Sequence, residues 1–409
     1  MEHPNKLRHR RLAPDISVSI DDHHHLHEVS ENNVKIDYTS PPKHTPGSKP
    51  HKAAKHKFSF HKLMKKQFLI PSAAVLFIFV GLVFLLWPQA KPIPPPVVVH
   101  KIVAKKIVKA PVYISPLSGL AVTQAQSQLP ITAVMVENSD EARPQSGLSQ
   151  AGVVFEALTE GGITRFMALY QEGAPGSIGP IRSARPIFID ALLPFNAAYA
   201  HVGGSSDALT QIISDNVKDM NEFYYGGYYT RISSREAPHN VYTSMSELYS
   251  LEQSKGYYSP TSFVQWPRKA EAPSKLPTVT AIKLNPSGPD FAVSYTYNPT
   301  ANDYMRDEAG AVMVDANTGA QLTPKVVIAL VIPSSQGALD ASGAYYTDYS
   351  DIGSGQADIF QDGTVTTGTW SKSTPSSQLV LTDNSGIPIA LNSGQIWITV
   401  LSQANQVSY

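Results

Sequence analysis

The chain has no cysteine in its 409 residues. Disulfides, thiolate zinc sites, iron–sulfur clusters, a cysteine nucleophile and a lipid-modified N-terminal cysteine are all excluded with it, so any membrane anchor has to be a peptide segment. Acid is missing from a long stretch as well: residues 67–109 carry five lysines and no Asp or Glu. Net charge is absent overall, with 33 basic and 33 acidic side chains. That balance excludes a chain built to coat nucleic acid, and no nucleic-acid partner is expected. The zero hides an asymmetry, because residues 1–66 hold 13 Lys/Arg against 7 Asp/Glu while residues 110–409 hold 15 against 26. A basic half is joined to an acidic half.

What is present explains the asymmetry. Residues 67–87 (QFLIPSAAVLFIFVGLVFLLW) contain no charge, and about 20 such residues cross a hydrocarbon core of about 30 Å. The run predicts a single transmembrane helix whose partner is the lipid bilayer. Lys49, Lys52, Lys55, Lys57, Lys62, Lys65 and Lys66 precede it, which by the positive-inside rule puts the N-terminus in the cytoplasm. Residues 1–66 are poor in large apolar side chains and hold ten of the 13 histidines. They read as a disordered basic tail, with a metal-binding histidine tract as the alternative. Residues 88–112 open with prolines and read as a stalk that holds the rest away from the membrane.

Two folded regions follow, and the expected class is α+β. Over 113–265, strand-like runs (ITAVMVE, AGVVFEAL, ITRFMALY, AAYAHVGG) alternate with helical patterns (ARPIFIDALLPF, SDALTQIISDN, MSELYSLEQS), which suggests an α/β-type domain. Ser244 and Glu247 have capping-box spacing, and Gly256 marks a helix stop. Over 278–409, short alternating runs between Gly, Asn, Asp and Ser turns predict a mostly antiparallel β domain.

The chemistry-bearing residues concentrate in the first region. Between residues 113 and 254 the basic residues are Arg143, Arg165, Arg182, Arg185, Arg231 and Arg235, with Lys218 the only lysine. A guanidinium fork is preferred over an ammonium where a carboxylate or phosphate is gripped by two parallel hydrogen bonds. The pattern points to an anion site; the alternative is structural pairing with Glu137, Glu156 and Glu160. Gly203, Gly204 and Ser205 follow a predicted strand and precede a predicted helix, a place where backbone N–H groups can meet an anion. A tight turn with a serine N-cap is the alternative there. His201 and His239, the latter beside Asn240 in a loop, are candidate acid/base groups, with Glu156 or Glu160 as the acid or orienting partner. Their spacing matches no metal motif, and neither a Walker loop nor a G-x-G-x-x-G fingerprint is present, so no metal or cofactor is expected. FYYGGYY (223–229) reads as a hairpin with packed tyrosines, with sugar stacking as the other use.

At these same residues a family resemblance emerges. ARPQSGL (142–148), VFEALTE (154–160) with ITRF (163–166), IGPIRSAR (178–185), HVGGS (201–205) and APHN (237–240) are similar to the N-terminal domain of the YerB-like bacterial lipoproteins, the family of domain of unknown function 3048. DANTG (315–319), GTWSK (368–372) and GQIWI (394–398) are similar to that family's C-terminal domain. The resemblance implies an extracytoplasmic, membrane-attached bacterial protein, here with a transmembrane helix in place of the lipoprotein cysteine. It implies no reaction. Three function classes are carried forward: a binder of an anionic wall glycan, peptide carboxylate or phosphate polymer; an envelope hydrolase or transferase; and a structural partner of an envelope enzyme.

Overall fold

Strand residues in this chain feed two cores at once, and that habit builds the central layer. In β1 (Thr132–Glu137) every residue is buried, because Ala133 and Met135 enter one hydrophobic cluster and Val134 and Val136 another. A sheet covered on both faces needs such a run rather than a one-sided alternation. The computed structural model describes residues 111–339 and 343–409. The tail at 1–66, the apolar run at 67–87 and nearly all of the 88–112 stalk lie outside these residues. No helix among the described residues is long and apolar enough to cross a membrane.

The first region supplies β1, β2 (Val153–Leu158), β3 (Thr164–Tyr170), β4 (Ala198–His201) and β5 (Lys218–Asn221). After it come β6 (Ala281–Leu284), β7 (Val293–Asn298), β8 (Asp303–Glu308), β9 (Ala311–Val312) and β10 (Val326–Val331). The chain ends with β11 (Gly353–Gln361), β12 (Thr364–Lys372), β13 (Val380–Asp383), β14 (Ile396–Leu401) and β15 (Val407–Ser408). Ten of these form one sheet in the order β13-β12-β11-β10-β14-β2-β3-β1-β4-β5. The composition change between 265 and 278 therefore does not divide the sheet. Strand β14 lies parallel between β10 and β2, pairing Ile396 with both Val326 and Val153. Within the C-terminal region the remaining ladders of the two sheets are antiparallel, as expected; β10 with β14 runs parallel, and β14 with β2 crosses into the first region. A second, five-stranded antiparallel sheet (β9-β8-β7-β6-β15) packs Ile282, Tyr295 and Tyr304 against Val327, Ala329 and Phe360 of the long sheet.

Helices cover both faces of the long sheet. Helices α1 (Pro186–Leu192) and α2 (Ser206–Ser214) bury Ile187, Phe188, Leu192, Ala208 and Ile212 in one cluster, and α3 (Met245–Lys255) buries Met245, Leu248 and Leu251 in the other. Helix α3 starts and stops where expected: Ser244 Oγ accepts the Glu247 N–H at 3.2 Å, and Gly256 closes the helix in the left-handed region at φ 71°. The predicted hairpin at 223–229 is absent. Glu222–Tyr225 is instead one helical turn capped by Asn221, followed by a 3₁₀ turn; Asn221 Oδ1 takes the Phe223 N–H, which favours helical entry over a strand.

A turn from the C-terminal region pins the N-terminal one. The Asp315 carboxylate accepts from the main-chain N–H groups of Gly147 (3.0 Å) and Ser149 (2.8 Å), the Ser149 hydroxyl (2.6 Å) and its own turn at Asn317 (2.9 Å). Four donors satisfy the two oxygens of a fully buried charge, as burial requires.

Candidate functional site

Strands β1, β4 and β5 run parallel, so their carboxyl ends lie along one rim, the end of an α/β sheet where ligands most often bind. Segment 179–185 threads along that rim. It is held by hydrogen bonds from Glu137 N to Pro180 O (2.8 Å), Arg182 N to Met135 O (3.1 Å), Val202 N to Arg182 O (3.0 Å) and Ala184 N to Gly203 O (2.9 Å). Gly203 has φ 58°, and a Cβ there would lie 2.8 Å from the Phe223 ring, so the turn needs glycine twice over. Ser205 N-caps α2 by accepting the Ala208 N–H at 3.3 Å. The Gly203-Gly204-Ser205 turn thus spends its serine on the helix.

Around this rim the predicted side chains form separate groups. The first centres on Glu137, whose Oε1 faces His239 Nδ1 (3.0 Å), Arg182 Nε (3.0 Å) and Ser139 Oγ (3.2 Å). An ionised carboxylate only accepts, so His239 carries its proton on Nδ1 and leaves Nε2 without a partner among the described residues. The second group is Glu160 between Arg165 (2.5 Å) and Arg185 (2.8 and 2.9 Å). Burial pushes the Glu160 carboxyl upward, but the two guanidinium groups outweigh it and hold it below the ordinary value. Arg185, buried and beside Arg165, is lowered to about 10. The third group locks His201, which is fully buried: Nδ1 donates to Gly203 O (2.7 Å) and Nε2 meets Asp219 Oδ1 (2.9 Å). Both ring nitrogens are occupied, so His201 is a poor base.

Glu156 is elsewhere. It projects into the cluster of Val154, Phe166 and Trp397 on the opposite sheet face from Tyr199. There it receives Arg306 at 3.1 Å on both oxygens, Trp397 Nε1–H at 2.9 Å and Thr399 Oγ at 3.0 Å. The structure does not bring Glu156 to either histidine. Of the arginines, Arg143 pairs with Asp140 and Glu308, Arg165 and Arg185 with Glu160, Arg182 with Glu137, and Arg231 with Glu222 while also donating to Asn240 Oδ1 (3.3 Å). Arg235 differs: it donates to the main-chain oxygens of Glu141 and Pro144 and has no carboxylate partner among the described residues. With His239, Ser234, Glu141 and Glu236 it lines an open cleft of about 530 Å³.

Sequence reasoning missed Asp219, Ser139 and above all Arg306. Arg306 lies in the charged run MRDE of β8 and is buried by the long sheet packing over that strand. A mostly apolar pocket of about 40 Å³ lies between α1 and the long sheet, lined by Phe155, Phe188, Leu330 and Trp370 with Asp351 and Lys372 beside them. No group of three or more His, Asp or Glu able to hold a metal occurs among the described residues.

Fold and rim together define a β-rich module whose two sequence regions share one sheet and whose polar loops converge at one end of it. The family models that match are the N-terminal domain of "Protein of unknown function (DUF3048)" over residues 117–258 and its C-terminal domain over residues 282–398. The chain belongs to this family. It is 30% identical over 297 residues to the Bacillus subtilis (strain 168) protein named "Putative lipoprotein YerB", covering 72% of this chain and 88% of that one. The crystal structure of the YerB protein from Bacillus subtilis matches with a TM-score of 0.65 at 28% identity, over 72% of this chain and 99% of that chain.

Proposed function

We propose that this is an extracytoplasmic protein of the cell envelope, anchored by residues 67–87, that binds an anionic wall component in the Arg235 cleft. The relative's description as a lipoprotein supports membrane attachment, and the lysine-rich flank supports a cytoplasmic N-terminus. Protease shaving of intact protoplasts should therefore digest residues 113–409 and spare residues 1–66. Protection of the C-terminal part in sealed protoplasts would reverse the topology.

One observation carries the binding reading. Five of the six arginines pair with carboxylates of the fold, while Arg235 has no such partner among the described residues and opens, with His239, onto the cleft that Glu141 and Glu236 also line. Losing one charge-assisted hydrogen bond costs about 1.5–3 kcal/mol, roughly 10- to 150-fold in affinity. Arg235→Ala should weaken binding of soluble carboxylate-bearing wall fragments by about that factor. Its melting temperature should hardly change, because the acceptors it leaves are exposed main-chain oxygens. Unchanged affinity would end this reading. The hydrolase or transferase reading keeps one observation of its own, the orientation of His239 by Glu137. Under it, His239→Ala would lose about 100-fold or more in turnover, whereas a binder keeps most of its function.

A further inference from the structure

The cleft has an aromatic neighbour. Phe223 and Tyr224 are 68% and 73% exposed, although the turn that carries them is firmly held. Asn221 Oδ1 accepts both the Phe223 N–H (3.2 Å) and the Gly203 N–H (3.0 Å). Tyr225 and Tyr228 pack against the core, and Lys255 lies 5.0 Å over the Tyr225 ring. Two rings of this loop are thus left largely exposed on a base that the Asn221 bonds hold in place.

A continuous line of contacts joins these rings to the cleft. Glu222, next to Phe223, pairs with Arg231 at 3.0 Å, and Arg231 donates to Asn240 Oδ1 at 3.3 Å. Asn240 follows His239 directly, and the ladder of Arg231 with Val241 fixes the two segments side by side. The surface therefore reads, in order, two exposed aromatic rings, then hydrogen-bonding side chains, then the cleft of Arg235 and His239, which Glu141 and Glu236 also line. Two exposed rings among polar groups are far too small for the core of a stable protein interface, which buries about 800 Å² per partner. They suit a ligand that is itself flat and apolar on one face and polar at its edge. A pyranose ring has that shape, and an aromatic face offers the matching apolar surface.

We infer that the ligand of this site is an acidic glycan, with one sugar ring laid on Phe223 and Tyr224 and a carboxylate of a neighbouring residue turned into the Arg235 cleft. The inference rests on the binding reading above and narrows it to one class of ligand. Neutral glycans should bind weakly for want of the charge, and acidic chains without rings should bind weakly for want of the stacking.

The test uses the full chain in detergent solution with three probes: a muropeptide carrying its carboxylates, chitotetraose, and poly-γ-glutamate. Phe223→Ala/Tyr224→Ala should weaken the muropeptide 10-fold or more and leave poly-γ-glutamate unchanged. Arg235→Ala should weaken both. As a second measurement that needs no loss of ring, Tyr224→Trp should report the muropeptide by a change in tryptophan emission and stay silent with poly-γ-glutamate. If the paired alanine variant binds the muropeptide like the wild type, or the Tyr224→Trp emission does not respond to it, the glycan assignment is wrong. If Arg235→Ala leaves every acidic probe unaffected, the anion cleft itself is wrong and the glycan assignment falls with it.

Discussion

Replacing Glu156 by alanine should destabilise the protein by about 3–5 kcal/mol, the usual cost of removing one partner from a buried ion pair. Both Glu156 and Arg306 are fully buried. Burial works against the Arg306 charge, but Glu156 overrides it and holds the guanidinium more firmly protonated than usual. Around it stand Trp397 at 4.2 Å, Tyr295 at 5.4 Å and Phe166 at 5.7 Å from ring centre to guanidinium carbon. Without Glu156 this cation keeps Glu308 at 3.7 Å as its one carboxylate among the described residues, beside the Tyr295 hydroxyl, and Trp397 Nε1–H and the Thr399 hydroxyl lose their acceptor. Glu156→Ala/Arg306→Met should recover part of the loss, since well-packed apolar replacements of a buried pair are often tolerated. Urea unfolding of the three proteins measures it. A loss below about 1 kcal/mol for Glu156→Ala, the worth of an exposed pair, would mean that the contact does not join the two regions.

The second large effect is a pH dependence centred on Glu252. Its side chain is fully buried in α3, with Thr132 Oγ donating to Oε1 at 2.6 Å and Oε2 lacking a hydrogen-bond partner. Burial raises the carboxyl from 4.5 to about 7, against the smaller opposing pulls of the Thr132 hydrogen bond and Lys218. Below pH 4.5 it is protonated in the folded and unfolded chain alike, and stability is at its full value. Between 4.5 and 7 the unfolded chain ionises first, so stability falls as pH rises; above 7 the loss is complete. A shift of this size corresponds to about 3 kcal/mol. Glu252→Gln keeps an acceptor for Thr132 without the charge. It should leave the melting temperature at pH 4 nearly unchanged and raise it clearly at pH 8. Parallel melting curves for the two proteins at both pH values would show that burial of this acid is not what sets the slope.

The elements legible beforehand are those written in local chemistry. The α3 limits follow from Ser244 and Gly256, because a cap and a left-handed stop are properties of single residues. The doubly buried β1 is visible as an unbroken apolar run. The turn at 223–229 departs from the expected hairpin: its tyrosines and glycines suit one, but the Asn221 cap, placed by the parallel ladder of β4 with β5, tips it into a helix. The arginine excess was visible, but which arginine keeps a free charge was not. Arg165 and Arg185 are separated by twenty residues and meet on Glu160 through the path of segment 179–185.

From the sequence by itself came the uncharged run at 67–87, the basic and acidic halves, the absence of any cysteine anchor, the alternation of strands and helices, and the motif strings that mark the family. These depend on composition and on periods of a few residues. Tertiary structure alone decided that β14 would slot between β2 and β10, joining two regions separated by a composition change into one sheet. It also decided that Glu156 would meet Arg306 rather than a histidine. Pairing partners about 150 to 250 positions apart is a matter of register and of which face each strand turns to a core, and a strand's own residues specify only that they alternate. Buried charges are matched across that register because an unmatched one is too costly to bury. For the same reason five arginines of the rim are spent on carboxylates, while Arg235, supported by main-chain oxygens at the edge of water, is left with its charge facing the cleft.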